Sequence, residues 1–252
     1  MQCDGVEVWT ARPEALGAAA CGELEGLLDL EERMRCASLR FPADQRAYVA
    51  AHALRRMALG LALGVDAGDL RFGTNRHGCP LLLGHPDAPA FSLTRSRGLV
   101  AFAMNGAGRV GIDVEPIDER SDGALLEPFY VPSPEVQDFH LQWTALEAYW
   151  KARGLGLADD NPRIALRPLD GESLYEVVEG DTRRATGMVV IRLQAPAGHV
   201  LSLACEAPAT VRMVELDGLA AAPGCGHLAP PAHGALLAEA VQACDGNGKT
   251  TL

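Results

Sequence analysis

Gly111-Ile112-Asp113-Val114-Glu115 alternates two acids with two β-branched aliphatics and is closed by Pro116. Alternation of this kind marks a strand with unlike faces, and the proline ends it. Asp113 and Glu115 therefore share one face, while Ile112 and Val114 enter a core. Two carboxylates so close repel unless a cation lies between them. Mg2+, or Mn2+ in its place, accepts oxygen ligands and leaves room for water or substrate phosphates. The plainer alternative is a solvated strand face.

The second decisive stretch is Trp143-Thr144-Ala145-Leu146-Glu147-Ala148-Tyr149-Trp150-Lys151-Ala152. Glu147 and Lys151 stand four apart and so share a helix face. On a surface they would form an ion pair worth only about 0.2–0.5 kcal/mol. Trp143, Leu146 and Trp150 cluster beside them, which buries part of this helix. Only Lys151 and Lys249 are lysines, against twenty arginines.

Outward from these segments the chain alternates short strands with helices. Strands are expected at Gly5–Thr10, Leu70–Gly73, Phe91–Thr94, Leu99–Met104, Arg109–Glu115, Tyr175–Val178, Gly187–Leu193 and His199–Cys205, with a further one at Val211–Leu216. Helices are expected over Glu23–Arg40, Asp44–Leu63 with Asp44 as N-cap, and Phe139–Arg153, stopped by Gly154 and Gly156. Tyr48, Val49, Leu54, Met57 and Leu61 fill the apolar side of the second helix, leaving Arg46, Arg55 and Arg56 on or near its polar side. Asn75-Arg76-His77-Gly78-Cys79-Pro80 is a turn.

A helix plus short strands, read twice, predicts an α+β protein of two similar lobes, each a small antiparallel sheet on a long helix. The expected division is 1–106 and 107–216, joined near Asn105–Arg109. An Ala/Gly/Pro-rich appendage follows over 217–252, with one helix around Ala235–Ala243.

The chain of 252 residues is 48% hydrophobic, enough for a substantial core. No apolar run approaches the ~20 residues that span a bilayer, and the first residues lack the pattern of a secretory signal. A cytoplasmic protein is the expectation. A net charge of −11 argues against general affinity for nucleic acid or anionic membranes. The charge is uneven. Glu31–Arg97 holds ten arginines and six acids, and Gly111–Thr182 holds sixteen acids and five basic residues. A basic stretch before an acidic one suits an anionic ligand held between two lobes with a divalent ion. The seven cysteines are scattered without a C-x-x-C pair, so neither a zinc site nor a disulfide framework is indicated.

Taken together, Gly-Ile-Asp-Val-Glu and Trp-Thr-x-x-Glu-Ala-x-x-Lys-Ala-x-Gly-x-Gly-Leu, ending at Leu157, resemble the 4′-phosphopantetheinyl transferases of the long, two-lobed Sfp type. The resemblance runs from about Glu32 to Leu216. It includes Phe41-Pro42-Ala43-Asp44-Gln45-Arg46, Leu70-Arg71-Phe72 and Phe91-Ser92-Leu93-Thr94. It implies transfer of the phosphopantetheine arm of coenzyme A to a serine of an acyl or peptidyl carrier protein, with release of adenosine 3′,5′-bisphosphate. The carriers would serve polyketide, nonribosomal peptide or fatty-acid synthesis, and two fused lobes imply a monomer.

By the same resemblance, Asp113, Glu115 and Glu147 would hold Mg2+ and Lys151 would stand by the phosphates. Glu147 is read either as ligand or as the base that takes the serine proton. Arg46 would meet the 3′-phosphate. Arg76, His77, Gly78, Cys79 and Pro80, with Ser92, Leu93, Thr94 and Arg95, would line the nucleotide and pyrophosphate site. The sequence departs from the family at Cys79, where a cation is usual, at Thr94-Arg95 in place of Ser-His, and at Leu146 in place of Lys. Arg76 is the candidate to replace the missing cation. Arg55 and Arg97 are candidates for carrier contact. Two other readings remain: a weakened relative that binds carriers or nucleotide, and a Mg2+-dependent phosphoesterase.

Overall fold

A computed structural model describes residues 5–118, 123–158, 160–206, 210–216 and 249–251. The first elements are β1 (Val6–Ala11), α1 (Ala18–Gly26), α2 (Leu30–Ala37) and α3 (Pro42–Leu63). Strands β2 (Arg71–Thr74), β3 (Pro80–Leu83), β4 (Ala90–Ser96), β5 (Leu99–Asn105) and β6 (Val110–Pro116) follow. Helix α4 (Phe139–Ala152) precedes β7 (Ile164–Asp170), β8 (Leu174–Glu179), β9 (Ala185–Leu193) and β10 (His199–Glu206). Short strands β11 (Thr210–Glu215) and β12 (Lys249–Thr251) end the described chain. The class is α+β.

One sheet has the order β12-β11-β1-β5-β4 and the other β6-β10-β9-β8-β7, with β2 and β3 a separate hairpin. Neighbours are antiparallel except β1 and β11, which run parallel. The strand expected near Val211 is thus β11, seated beside β1 in the first sheet.

Alternation along the strands explains the layering. Val6, Val8, Leu99, Ala101 and Ala103 of the first sheet meet Ile112, Val114, Leu201 and Leu203 of the second in one buried cluster. Trp9, Val100, Phe102 and Met104 point the other way, into a core made with α3. Val190 and Ala204 of the second sheet face α4, with Leu146 and Trp150. The order is helix, sheet, sheet, helix, so the central strands are covered on both faces. All six residues of β1 are buried.

Gly111 fixes the last of these contacts. A Cβ there would stand 2.0 Å from the carbonyl oxygen of Ala148 and 2.5 Å from the amide nitrogen of Ala152. Only glycine lets α4 lie this close to β6.

Several local expectations are corrected. The single helix over Glu23–Arg40 is two, because Asp29 caps a new start: its side chain accepts from Glu32 N, and Glu32 reciprocates to Asp29 N. The N-cap of α3 is Phe41, with Pro42 in the first turn; Asp44 lies inside the helix and caps nothing. The turn read up to Pro80 gives way there to β3. Neither β3, a run of leucines after proline, nor β7, which carries Arg167 and Pro168, shows the alternation that would announce a strand.

Arg55 and Arg56 are not on a polar face. They are 5% and 0% exposed, so Arg55 cannot offer a carrier the basic surface expected of it. Arg56 donates to Glu32 at 2.8 Å, Asp29 at 2.7 Å and the carbonyls of Ala67 and Leu70 at 3.0 and 2.9 Å. Arg55 pairs with Glu32 at 2.5 Å and lies 3.6 Å above the centre of the Phe72 ring. A surface reading fails because acids supplied by the capped start of another helix, Asp29 and the buried Glu32, are invisible to the periodicity of α3.

Cys21, Cys36, Cys79 and Cys205 are free thiols; Cys3, Cys225 and Cys244 lie outside the described residues, as does the helix expected at Ala235–Ala243. No helix among the described residues is long and apolar enough to cross a membrane.

Candidate active site

Asp113 and Glu115 leave β6 on the side of α4, opposite Ile112 and Val114, as the alternation of acids and aliphatics requires. The close approach at Gly111 brings the last turns of α4 over them. Lys151 donates to Asp113 Oδ1 at 2.5 Å, in preference to a partner on its own helix. Thr94 of β4 donates to the same oxygen at 3.0 Å. Asp113 is buried, and its Oδ2 has no hydrogen-bond partner. One carboxylate oxygen is thus doubly served and the other stranded in the interior.

Glu115 and Glu147 are half-buried, and both hold protons more tightly than an ordinary glutamate. For Glu115, burial is the main cause, reinforced by the charges of Asp113 and Glu147 and opposed by Lys151 and a hydrogen bond from Trp143. For Glu147, burial again leads, with Asp113 adding to it and Lys151 opposing. Three carboxylates feel one another with one ammonium to balance them. As the side chains stand, no three His, Cys, Asp or Glu among the described residues form a ready metal cage.

The turn between β2 and β3 reaches the same place. Asn75 donates from Nδ2 to the Gly154 carbonyl at 2.9 Å, while its Oδ1 accepts from the amides of His77 and Cys79 at 2.8 and 3.0 Å. Gly78 takes a φ of 79°, which closes the turn. Cys79 is close enough to Lys151 for the ammonium to oppose the upward push that burial gives its thiol.

No family model matches the chain. It is 32% identical over 168 residues to the 4′-phosphopantetheinyl transferase HetI of a Nostoc species, spanning 60% of this chain and 70% of that protein. It is 26% identical to a phosphopantetheinyl transferase of a Thraustochytrium species, over 80% of this chain and 78% of the relative. A third relative is the L-aminoadipate-semialdehyde dehydrogenase-phosphopantetheinyl transferase of Eremothecium gossypii, 29% identical over 73% of this chain and 76% of its own.

The chain belongs to the 4′-phosphopantetheinyl transferase family. It is a transferase, and the residues singled out in its sequence fall into two groups on either side of edge strand β4. Ser92 and Thr94 point toward β6. Thr94 reaches Asp113, and Ser92 accepts from the amide of Ile112 at 3.1 Å, stitching the two sheets together. Leu93 and Arg95 point toward α3: Leu93 packs on that core, and Arg95 lies 5.2 Å over the ring of Tyr48. Arg46 is exposed near the start of α3, where its charge is felt by Cys21. Arg76 and His77 stand exposed at the tip of the turn, bonded to each other at 2.8 Å, and Pro80 begins β3.

The transferase thus gathers Thr94, Cys79, Asp113, Glu115, Glu147 and Lys151 at one junction and keeps Arg46 and Arg95 apart from it. The sequence pattern marks Asn75 as the start of a turn and gives no sign that it is a clasp. It also missed the indole of Trp143 as a partner of Glu115; a tryptophan four residues before Glu147 on the same helix was the available signal.

Proposed function

We propose that this transferase moves the phosphopantetheine arm of coenzyme A to the serine of an acyl or peptidyl carrier protein of polyketide, nonribosomal peptide or fatty-acid synthesis. The observation that carries the reading is the division of labour along β4, whose alternate side chains serve the carboxylate–lysine junction on one face and carry the exposed Arg95 toward α3 on the other. A long ligand with phosphates at two places suits such an edge. Its 3′-phosphate would meet Arg46 and Arg95, and its pyrophosphate would meet Lys151 and the 74–80 turn, with Arg76 supplying the cation that Cys79 lacks.

Asp113, Glu115 and Glu147 are the residues that would hold Mg2+. Two features fit them to a hard cation: the stranded Oδ2 of Asp113, and a mutual repulsion that only added positive charge relieves. When bound, the ion would neutralise charge on the pyrophosphate. Lys151 would shift its donors from Asp113 to the leaving phosphate, stabilising charge as it develops. Glu147, with its raised proton affinity, is suited to take the proton of the carrier serine. The two lobes are read as 1–106 and 107–216, pseudo-twofold partners each backed by a long helix, in a cytoplasmic monomer with 217–252 as an appendage, although β11 of the second segment and β12 of the appendage join the sheet of the first.

The test is incubation with coenzyme A, Mg2+ and a panel of apo-carriers, followed by intact mass. A gain of one phosphopantetheine on a carrier, lost on chelation, is expected. No gain on any carrier with folded protein would sink the reading. Hydrolysis of coenzyme A without a carrier would replace it with a phosphoesterase.

A further inference from the structure

We propose that His52 and Tyr48 of α3 form a stacked platform that positions Arg95 for the anionic nucleotide end of the ligand. The inference rests on the coenzyme A reading and adds two positioning residues to it. Tyr48 and His52 are four apart on α3 and therefore lie one above the other. Their rings stack at 3.8 Å between centroids with 16° between planes. His52 Nδ1 lies 2.9 Å from the Tyr48 carbonyl, which can only accept, so the proton sits on Nδ1. Ring and backbone contacts together fix His52, and His52 in turn fixes the plane of the buried Tyr48.

Arg95 arrives from β4 with its guanidinium carbon 5.2 Å from the Tyr48 ring centre. A ring face attracts the cation without using up its N–H donors. A carboxylate in that place would both neutralise Arg95 and occupy its fork. The platform therefore holds an exposed, flexible side chain in place while leaving its donors for a phosphate. His52 supports this by staying neutral. Burial above all, then the Arg55 charge, with Arg95 and Arg56 adding less, pushes it down to about 3 against the opposing bond to Tyr48. A charged imidazolium would repel the guanidinium it helps to hold.

The experiment measures the Kd of adenosine 3′,5′-bisphosphate by calorimetry, and KM and kcat for coenzyme A in carrier modification. His52→Leu should raise Kd and KM about fivefold and leave kcat unchanged. His52→Phe, which restores a flat ring, should recover most of the loss. In an Arg95→Ala background, His52→Leu should add nothing, because its effect passes through Arg95. If His52→Leu does not fold, His52→Gln removes the ring while keeping an arm to the Tyr48 carbonyl, and makes the same test.

Equal losses from His52→Leu with and without Arg95, a fall in kcat at constant KM, or no change would each overturn the platform. Coupled binding of the bisphosphate by a protein that modifies no carrier would sink the reaction and support the platform. Normal transfer without coupling would do the reverse, and a chain that binds neither ligand would remove both.

Discussion

Two charge clusters of similar make-up do opposite things in this molecule. Between α2 and α3, Asp29 and Glu32 face Arg55 and Arg56, and Arg56 satisfies both acids and two backbone carbonyls while fully buried. Between β6 and α4, Asp113, Glu115 and Glu147 share Lys151, and one buried carboxylate oxygen has no partner. The first set is closed in charge, two acids against two guanidiniums, with only Arg55 Nε left without a hydrogen-bond partner. The second is left in deficit of one or two positive charges. A closed set resists change and builds the fold, whereas a set in deficit has standing affinity for a cation or a proton. The same side chains become structure or chemistry according to whether their electrostatics are completed from within.

The largest expected effect is on the closed set. Arg56→Met removes the donor for two carboxylates and two carbonyls at once, leaving buried acceptors unpaired. A loss of about 3–5 kcal/mol is expected, with a fall in melting temperature on the order of 10 °C. Urea titration measures the first and calorimetry the second, and activity per folded molecule should persist at low temperature. A loss under about 1 kcal/mol would mean that this network is no more than a surface pair.

Glu147→Gln should act in the opposite sense. Transfer is expected to drop roughly 10²–10³-fold, as when a preorganised charge is removed from a reacting centre. The melting temperature at neutral pH should rise. The sign follows from linkage. The folded state holds the Glu147 proton more tightly than the unfolded chain, whose carboxyl titrates near 4.5. The wild type therefore loses stability as pH climbs through the raised folded value. The advantage of the glutamine should be full at neutral pH and fade as pH falls toward 4.5, and Mg2+ should narrow it by stabilising only the wild type. A Gln variant that melts lower at pH 7.5 would show that the junction is as closed as its counterpart.

Gly111→Ala probes the geometry that creates the deficit. The added methyl would press on the backbone of Ala148 and Ala152, so α4 must move out and take Glu147 and Lys151 with it. About 1–3 kcal/mol of stability should go, and transfer should fall more steeply than stability. An alanine variant of full activity would refute the view that this contact sets the site.

How much of this was readable from the sequence follows the same divide. The junction in deficit was legible because its residues are local: Asp113 and Glu115 share a strand face and Glu147 and Lys151 a helix face, so period-two and i,i+4 patterns point to them directly. The closed network was not. Arg55 and Arg56 looked polar along α3, and only the break at Asp29 brings two acids over them. The partnering of Lys151 with Asp113 rather than with Glu147 likewise depends on how near α4 lies to β6, which no single element encodes. Three strands escaped: β3 and β7 because leucines after Pro80 and the Arg167-Pro168 pair mask alternation, and β12 because Lys249–Thr251 is too short to show any.

The smallest expected effect joins the two clusters. The β2–β3 hairpin is rooted in the closed set, where Arg56 holds the Leu70 carbonyl and Arg55 lies on Phe72, and its tip touches the other set through Asn75 and Gly154. Asn75→Ala removes that bond and the two that shape the turn, all near the surface, so about 1 kcal/mol of stability is at stake. Its main consequence should be kinetic. With the turn no longer fastened to the end of α4, the Cys79 backbone would lose its fixed distance from Lys151, and KM for coenzyme A should rise a few-fold with kcat little changed, since Asp113, Glu147 and Lys151 are untouched. If kcat fell instead, the hairpin would be holding the lysine itself in place, and the rigid cluster would be setting the reactivity of the incomplete one rather than only framing its ligand.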